Sequence, residues 1–260
     1  MVPALKIENL SYKNILNNLS LELDEKKFYI LTGPNGSGKT TLVMSIAGFT
    51  KYSGNISILG NFSCKDNIVS LRKDMSILTD ISDLLDGTAL FNIIYPLINL
   101  GYEENIAKKE TYTLAKKLNI EYLLTRNVGD LSIKEKKLVQ VASTIISAPK
   151  LIIIDDTLDD LTDYYKNIVL SYLKKLKKCT ILLVTNNEKL FQYADKIIIM
   201  KNGKISENDT LENLLTNERI FSQSYIKTPF LADLSHKLRS YDLLDEDIMD
   251  IDEMVNKLWE

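Results

Sequence analysis

Apolar and polar residues alternate over positions 5–10 and 19–23, which predicts two β-strands with one buried face each. Residues 28–32 (FYILT) break that alternation. They form a short apolar run between Lys27 and Gly33, the pattern of a strand covered on both faces. The same uninterrupted pattern returns at 151–154 (LIII), 181–185 (ILLVT) and 196–200 (KIIIM). Residues 42–47 have helical character directly after a glycine-rich segment, and 53–58 with a turn at Gly60 and Asn61 suggest a further strand and hairpin. From about residue 84 to 147 the character changes. Lys, Glu, Leu, Ala and Ile recur at helical spacing over 104–118 and 134–147, and another helical stretch covers 165–176. Strands alternating with helices predict an α/β fold around a parallel sheet. Asn202-Gly203 is a two-residue hairpin signal, because both positions of the favoured turn need positive φ. Beyond 211 the chain reads as helical and polar. The expected layout is a domain over 1–210 with a helical insert at about 84–147, followed by a small C-terminal helical appendix over 211–260.

Composition narrows the function. With 260 residues, 45% apolar and 26% charged, the chain has enough material for a globular core. Lys and Arg number 32 against 35 Asp and Glu, and this acidic balance argues against a nucleic-acid partner. Cys64 and Cys179 give neither a disulfide framework nor a zinc spacing. His236 is the single histidine, which excludes histidine-rich metal chemistry. No apolar run approaches the ~18–20 residues that span a bilayer, and the first residues carry no secretory pattern. The expectation is a cytoplasmic protein without direct membrane insertion. Residues 242–253 hold seven acidic residues and no basic one, which reads as a solvated surface or a frayed end.

The chemistry concentrates at one place. Residues 33–40 read GPNGSGKT, matching G-x-x-x-x-G-K-[ST] between a buried strand and a helix. Three of the ten glycines fall here, so backbone freedom is concentrated where a loop must wrap an anion. Gly33, Asn35, Gly36, Ser37 and Gly38 supply the loop amides, and the following helix adds its N-terminal dipole. Lys39 offers a point charge to the β- and γ-phosphates, and Thr40 offers a hydroxyl to Mg²⁺. Asp155, at the end of the 151–154 run, is the candidate second Mg²⁺ group.

With these motifs in place the chain resembles the ATPase subunits of ABC transporters over about residues 3–210. The resemblance extends to GPNGSGKTT through Thr41, to Leu131-Ser132 about 20 residues before Asp155, and to the strand pair around 196–205. It implies a P-loop NTPase fold of ABC type with a mixed β-sheet core. It also implies binding of ATP with Mg²⁺, an adenine-stacking role for Tyr12, and a place for Ser132 at the nucleotide of a second subunit. Residues 88–101 and the tail over 228–255 are similar to the energy-coupling-factor branch. That branch binds a membrane scaffold protein and powers uptake of vitamins or metal ions. The implied partners are a second ABC ATPase subunit and an integral membrane transporter subunit, with this chain peripheral on the cytoplasmic face.

Several positions depart from the family pattern. The LSGGQ signature reads Leu131-Ser132-Ile133-Lys134-Glu135, which replaces glycines by Cβ-bearing residues and sets a carboxylate toward phosphate. Asp156 stands for the catalytic Glu, Asn186 for the switch His and Asp80 for the switch-loop Gln. Asn186 can hydrogen-bond but cannot carry a proton. These changes predict intact nucleotide binding with weak or partner-dependent hydrolysis, and they favour a heterodimer in which a better-equipped partner supplies the missing groups. The alternatives are a non-hydrolysing nucleotide-binding scaffold and the ATPase of a drug or peptide exporter. A soluble ABC protein acting on ribosomes or DNA is disfavoured by the acidic balance.

Overall fold

The structure, a computed structural model, describes residues 2–63, 67–80, 82–216, 219–224, 226–245, 248 and 251–259. Ten strands and ten α-helices follow in the order β1 (Leu5–Tyr12), β2 (Leu16–Leu23), β3 (Phe28–Thr32), α1 (Lys39–Ile46), β4 (Ser53–Ile58), β5 (Asn61–Phe62), α2 (Ile68–Leu71) and β6 (Met75–Leu78) among the described residues. Then come α3 (Ala89–Asn99), α4 (Glu104–Leu118), α5 (Ile133–Ile145), β7 (Leu151–Asp155), α6 (Asp163–Lys175), β8 (Thr180–Val184), β9 (Lys196–Lys201) and β10 (Lys204–Asp209). The tail carries α7 (Leu211–Leu215), α8 (Arg219–Gln223), α9 (Phe230–Ser240) and α10 (Ile251–Trp259).

The strands form two sheets. A four-stranded antiparallel sheet runs β2-β1-β4-β5, and a six-stranded sheet runs β10-β9-β3-β8-β7-β6. In the larger sheet every pairing is parallel except β9 with β10. The expected α/β fold with a mixed sheet core is therefore present. The four apolar runs seen in the sequence are β3, β7, β8 and β9, side by side at the centre. Their residues divide by alternation. Ile30, Ile152, Ile154, Ile181, Leu183 and Ile199 join a core with the helices α3 to α6, while Leu31, Ile153, Leu182, Val184 and Ile198 join a second core with α1 and the small sheet. Burial on both faces explains why the runs show no polar alternation.

Local rules account for the joints. The β9–β10 hairpin turns on Asn202 (φ 50) and Gly203 (φ 73), as its sequence predicts. The turn between β4 and β5 lies one residue earlier than expected, on Leu59 (φ 51) and Gly60 (φ 79). The helix after the glycine-rich loop starts at Lys39, three residues before the periodicity shows it. β6 adds an edge strand that the pattern alone did not mark. Thr88 caps α3, its Oγ1 accepting from the Phe91 amide at 3.1 Å.

In the tail, Leu244, Ile248 and Met254 pack with Leu231, Leu234 and Leu238 in a small cluster of their own. Of the acidic run, Glu246, Asp247 and Asp250 lie outside the described residues, as does Cys64. Cys179 is a buried free thiol. Among the described residues no helix is long and apolar enough to cross a membrane.

Candidate nucleotide-binding site

The glycine-rich loop leaves β3 at Thr32 and enters α1 at Lys39. Gly33 has φ 151, and a Cβ there would stand 2.1 Å from the Met200 carbonyl oxygen of neighbouring β9, so the position excludes a side chain. Gly36 (φ 79) differs, because a Cβ there would meet nothing within 4 Å. Its glycine serves the turn and leaves the loop open to close approach. The Ser37 carbonyl accepts from the Gly203 amide at 3.0 Å, so the β9–β10 hairpin braces the loop. Gly38 (φ 104) is the N-cap of α1, whose first turn contains no acidic residue. No acidic side chain of the helix itself opposes its positive end, a setting for an anion.

Lys39 is 7% exposed, and its Nζ donates to the Gly33 carbonyl at 2.7 Å and the Pro34 carbonyl at 3.3 Å. Burial pushes its ammonium down from the usual range, and the Asp156 and Asp155 carboxylates oppose that shift. Asp155 ends β7 at 3% exposure, and its Oδ1 is buried without a hydrogen-bond partner. Burial raises its carboxyl to about 6. A Thr40 hydrogen bond and Lys39 work against the shift, and Asp156 and Asp80 add to it. A buried carboxylate oxygen without a partner is costly. Next to a threonine hydroxyl, it matches the oxygen donors that Mg²⁺ takes, so Thr40 and Asp155 fit that ion.

Asp156 sits at φ 51 and opens the 3-10 turn Thr157–Asp160, with its amide bonded to the Val184 carbonyl at 3.1 Å. Burial also raises its carboxyl, with Lys39 opposing. Asn186 reaches the loop. Its Oδ1 accepts from the Gly33 amide at 3.3 Å and the Thr32 hydroxyl at 3.2 Å, and its Nδ2 donates to Asn35 Oδ1 at 3.4 Å. The structure therefore gathers Lys39, Thr40, Asp80, Asp155, Asp156 and Asn186 in one neighbourhood. Tyr12 is half-buried against the core between the sheets, with Lys13 Nζ 5.1 Å from its ring centroid. The Thr41 carbonyl accepts from Ser45 within α1.

Ser132 stands apart in a cluster of its own. It is the N-cap of α5 and forms a capping box with Glu135, Oγ accepting from the Glu135 amide at 3.3 Å and the Ser132 amide donating to Glu135 Oε2 at 2.8 Å. Glu135 Oε1 pairs with Arg126 Nη1 at 2.6 Å. The expectation that Glu135 points a bare carboxylate toward phosphate is corrected here: the side chain turns back onto its own helix end and a cation covers it. Ile133, by contrast, is 76% exposed at that helix end.

Three partners escaped the sequence reading. Arg126 neutralises Glu135. Lys137 Nζ lies 2.9 Å from Asp80 Oδ1 and 3.7 Å from Asp160 Oδ2. Asp159 accepts from the Thr185 hydroxyl at 2.8 Å and from Asn187 Nδ2 at 3.4 Å, tying the turn after β7 to the end of β8. An Asp at position 80 was itself a signal that a cation should be sought nearby.

The chain is similar to known proteins of one family. The ABC transporter family profile matches residues 16–159. The energy-coupling factor transporter ATP-binding protein EcfA1 of Mesomycoplasma hyopneumoniae (strain 7448) is 28% identical over 251 residues, covering 94% of this chain and 91% of that protein. The corresponding EcfA of Malacoplasma penetrans (strain HF-2) is 27% identical over 249 residues, 91% of this chain and 86% of that protein. Among solved structures, cbiO1 from Clostridium perfringens, part of the ABC transporter complex cbiONQ, superposes with a TM-score of 0.74 at 21% identity, covering 91% of this chain and all of that one. With the profile spanning more than half its length, the chain belongs to the ABC transporter family, as an ATP-binding subunit.

Proposed function

We propose that this subunit binds MgATP through the Lys39 loop and serves an uptake transporter of energy-coupling-factor type. The observation that carries the reading is the buried, partnerless Asp155 Oδ1 beside Thr40, at the end of the strand that faces the loop lysine. In this reading the ATP-binding domain is residues 1–210, with the helical insert at about 84–147, and residues 211–260 form an appendix that adds contact between subunits. Tyr12 stacks on the adenine. The amides of the loop from Gly33 to Gly38, with Thr41, hold the phosphates, and Lys39 leaves its carbonyl partners to meet the β- and γ-oxygens. Thr40 and Asp155 hold Mg²⁺, which neutralises phosphate charge. The ATP-binding relatives named above carry energy-coupling-factor names, and this supports the uptake assignment.

Hydrolysis is slow in the isolated chain. Asp156 is the base candidate, but its carboxylate is one methylene shorter than a Glu, and ~1 Å of misplacement costs roughly 100-fold in rate. Asn186 orients the loop through its amide and has no proton to exchange. Asp80 stands beside the phosphate region with Lys137 on its carboxylate. Ser132 contributes to the nucleotide of the other subunit. Ile133 and Lys134 keep that face from close approach, which favours pairing with a second subunit bearing glycines there. The complex sits on the cytoplasmic face of a membrane through an integral membrane partner. Calorimetric titration with ATP in the presence and absence of Mg²⁺ tests the site. Mg²⁺-dependent binding that Asp155→Ala removes is expected, and binding indifferent to both sinks the assignment.

A further inference from the structure

Lys137 lies in the second turn of α5, and its side chain is only 13% exposed although both of its partners are mostly in solvent, Asp80 at 67% and Asp160 at 56%. A lysine can bury its stem along neighbouring surface while its charged head reaches water or a counter-charge. Here the ammonium lies between carboxylates on two different loops, one following β6 and one ending the turn after β7. One turn further along α5, Gln140 Nε2 donates to the Ser82 carbonyl at 2.6 Å, so the helix grips the loop after β6 at two points. α5 is also the helix whose first residues form the 131–135 segment. Asp80 in turn acts electrostatically on Asp155 and Asp156. The carboxylates of Asp80, Asp155, Asp156, Asp159 and Asp160 therefore share one electrostatic neighbourhood, with Lys39 and Lys137 among them.

We propose that Lys137 is a positioning residue of the nucleotide site. It cancels the Asp80 charge that nucleotide phosphates would otherwise meet, and it locks the loops after β6 and β7 to α5. This inference rests on the MgATP reading above and adds a determinant of affinity that lies outside the phosphate loop. The chemistry is a charge balance. Asp80 next to a polyphosphate is repulsive unless a cation stands on it, and Lys137 is placed to be that cation.

The test compares MgATP affinity by calorimetry in the full chain and in Lys137→Met, Lys137→Arg, Asp80→Asn and the Lys137→Met/Asp80→Asn double variant, with thermal melting as a check of folding. Lys137→Met should weaken MgATP by about tenfold, because an uncompensated carboxylate then faces the phosphates. Lys137→Arg should stay within about threefold of the wild type, since the charge remains. The double variant should recover most of the loss, an outcome that a purely structural lysine would not produce. Equal affinity in Lys137→Met, or a double variant no better than the single one, overturns the proposal while leaving the Lys39 site intact. Absence of binding in the wild-type chain overturns both readings together. If Lys137→Met does not fold, Asp80→Asn alone decides. The released ammonium should tighten MgATP, and unchanged or weaker binding refutes the role.

Discussion

Arg126 Nη1 lies 2.6 Å from Glu135 Oε1, while the second oxygen of that carboxylate accepts the Ser132 amide at 2.8 Å. Both charges and the Ser132 amide at the α5 N-terminus are thus satisfied. The Ser132 amide is the first cause of a Glu135 carboxyl held below its ordinary value of 4.5, with Ser132 and Arg126 side chains adding to it. A lowered folded value means that the carboxylate stabilises the fold above the unfolded pKa and loses this effect as pH falls through the folded one. Ser132→Ala should cost about 1 kcal/mol in urea unfolding, the usual value of such a cap. Glu135→Gln should be less stable than the wild type at pH 7, with the gap closing in acid below pH ~4. A gap that persists unchanged at low pH would contradict the capping role.

Lys39→Ala should abolish tight MgATP binding, because it removes the loop cation on which both Asp155 and Asp156 act. Calorimetry reads this directly, and unchanged affinity would refute the placement. Asn186→Ala should weaken binding by a few-fold only. It removes the acceptor for the Gly33 amide and loosens the loop without removing charge.

The framework of this site was legible in the sequence because its signals are local. The run of apolar residues ending at Asp155 and the spacing of glycines before Lys39 each follow from one stretch of chain. What stayed hidden is relational. Arg126 with Glu135 and Lys137 with Asp80 are joined across nine and 57 positions, and no periodicity links them. Glu135 shows the limit best. Its residue type suggested repulsion of phosphate, and only its Ser132 and Arg126 partners reveal a helix cap. Likewise the β6 edge strand is four residues long and carries no alternation strong enough to mark it.

The nucleotide-free chain should respond to pH through Asp155. Its folded carboxyl is raised to about 6, first by burial, from an ordinary value of 3.8. The folded state therefore holds its proton more tightly than the unfolded chain, and stability falls as pH rises from about 4 to about 6 and stays low above that. Asp155→Asn should raise the melting temperature at pH 8 and lose that advantage near pH 4. A variant that melts lower than the wild type at pH 8 would show that the carboxylate is not a source of strain.

Turnover by the isolated chain should lie below the ordinary enzyme range of ~1–10³ s⁻¹. The Asp156 backbone is fixed at φ 51 with its amide on Val184, and its carboxylate reaches one methylene less far toward a water than that of a Glu. Losses of groups that act only in the transition state cost tens to thousands in rate and do not add simply. Phosphate release should be measured against a Lys39→Ala control to exclude contaminating ATPase. Ordinary turnover abolished by that control would show that Asp156 and Asn186 suffice.

Pairing is the last expectation, and the structure shifts its grounds. Glu135 is capped and neutralised, so repulsion between its carboxylate and phosphate is not what separates a homodimer from a mixed pair. The obstacle that remains is steric and solvational. Ile133 is 76% exposed at the start of α5, where, in the reading proposed above, a glycine would let an amide approach the nucleotide of a second subunit. In a homodimer built as proposed above, that side chain would stand at both nucleotide sites. In the mixed dimer proposed above it would stand at one, and the nucleotide on Lys39 would meet the partner's glycines. Two changes separate these cases. Ile133→Gly with Lys134→Gly should let MgATP drive self-association of this chain, read by native mass spectrometry, while the wild-type chain should assemble preferentially with a second ABC subunit when the two are co-expressed. Glu135→Gln alone should not promote self-association, since its charge is already paired. Recovery of a MgATP-dependent homodimer from the wild-type chain, with ATP hydrolysis equal to that of any mixed complex, would rule the heterodimer out.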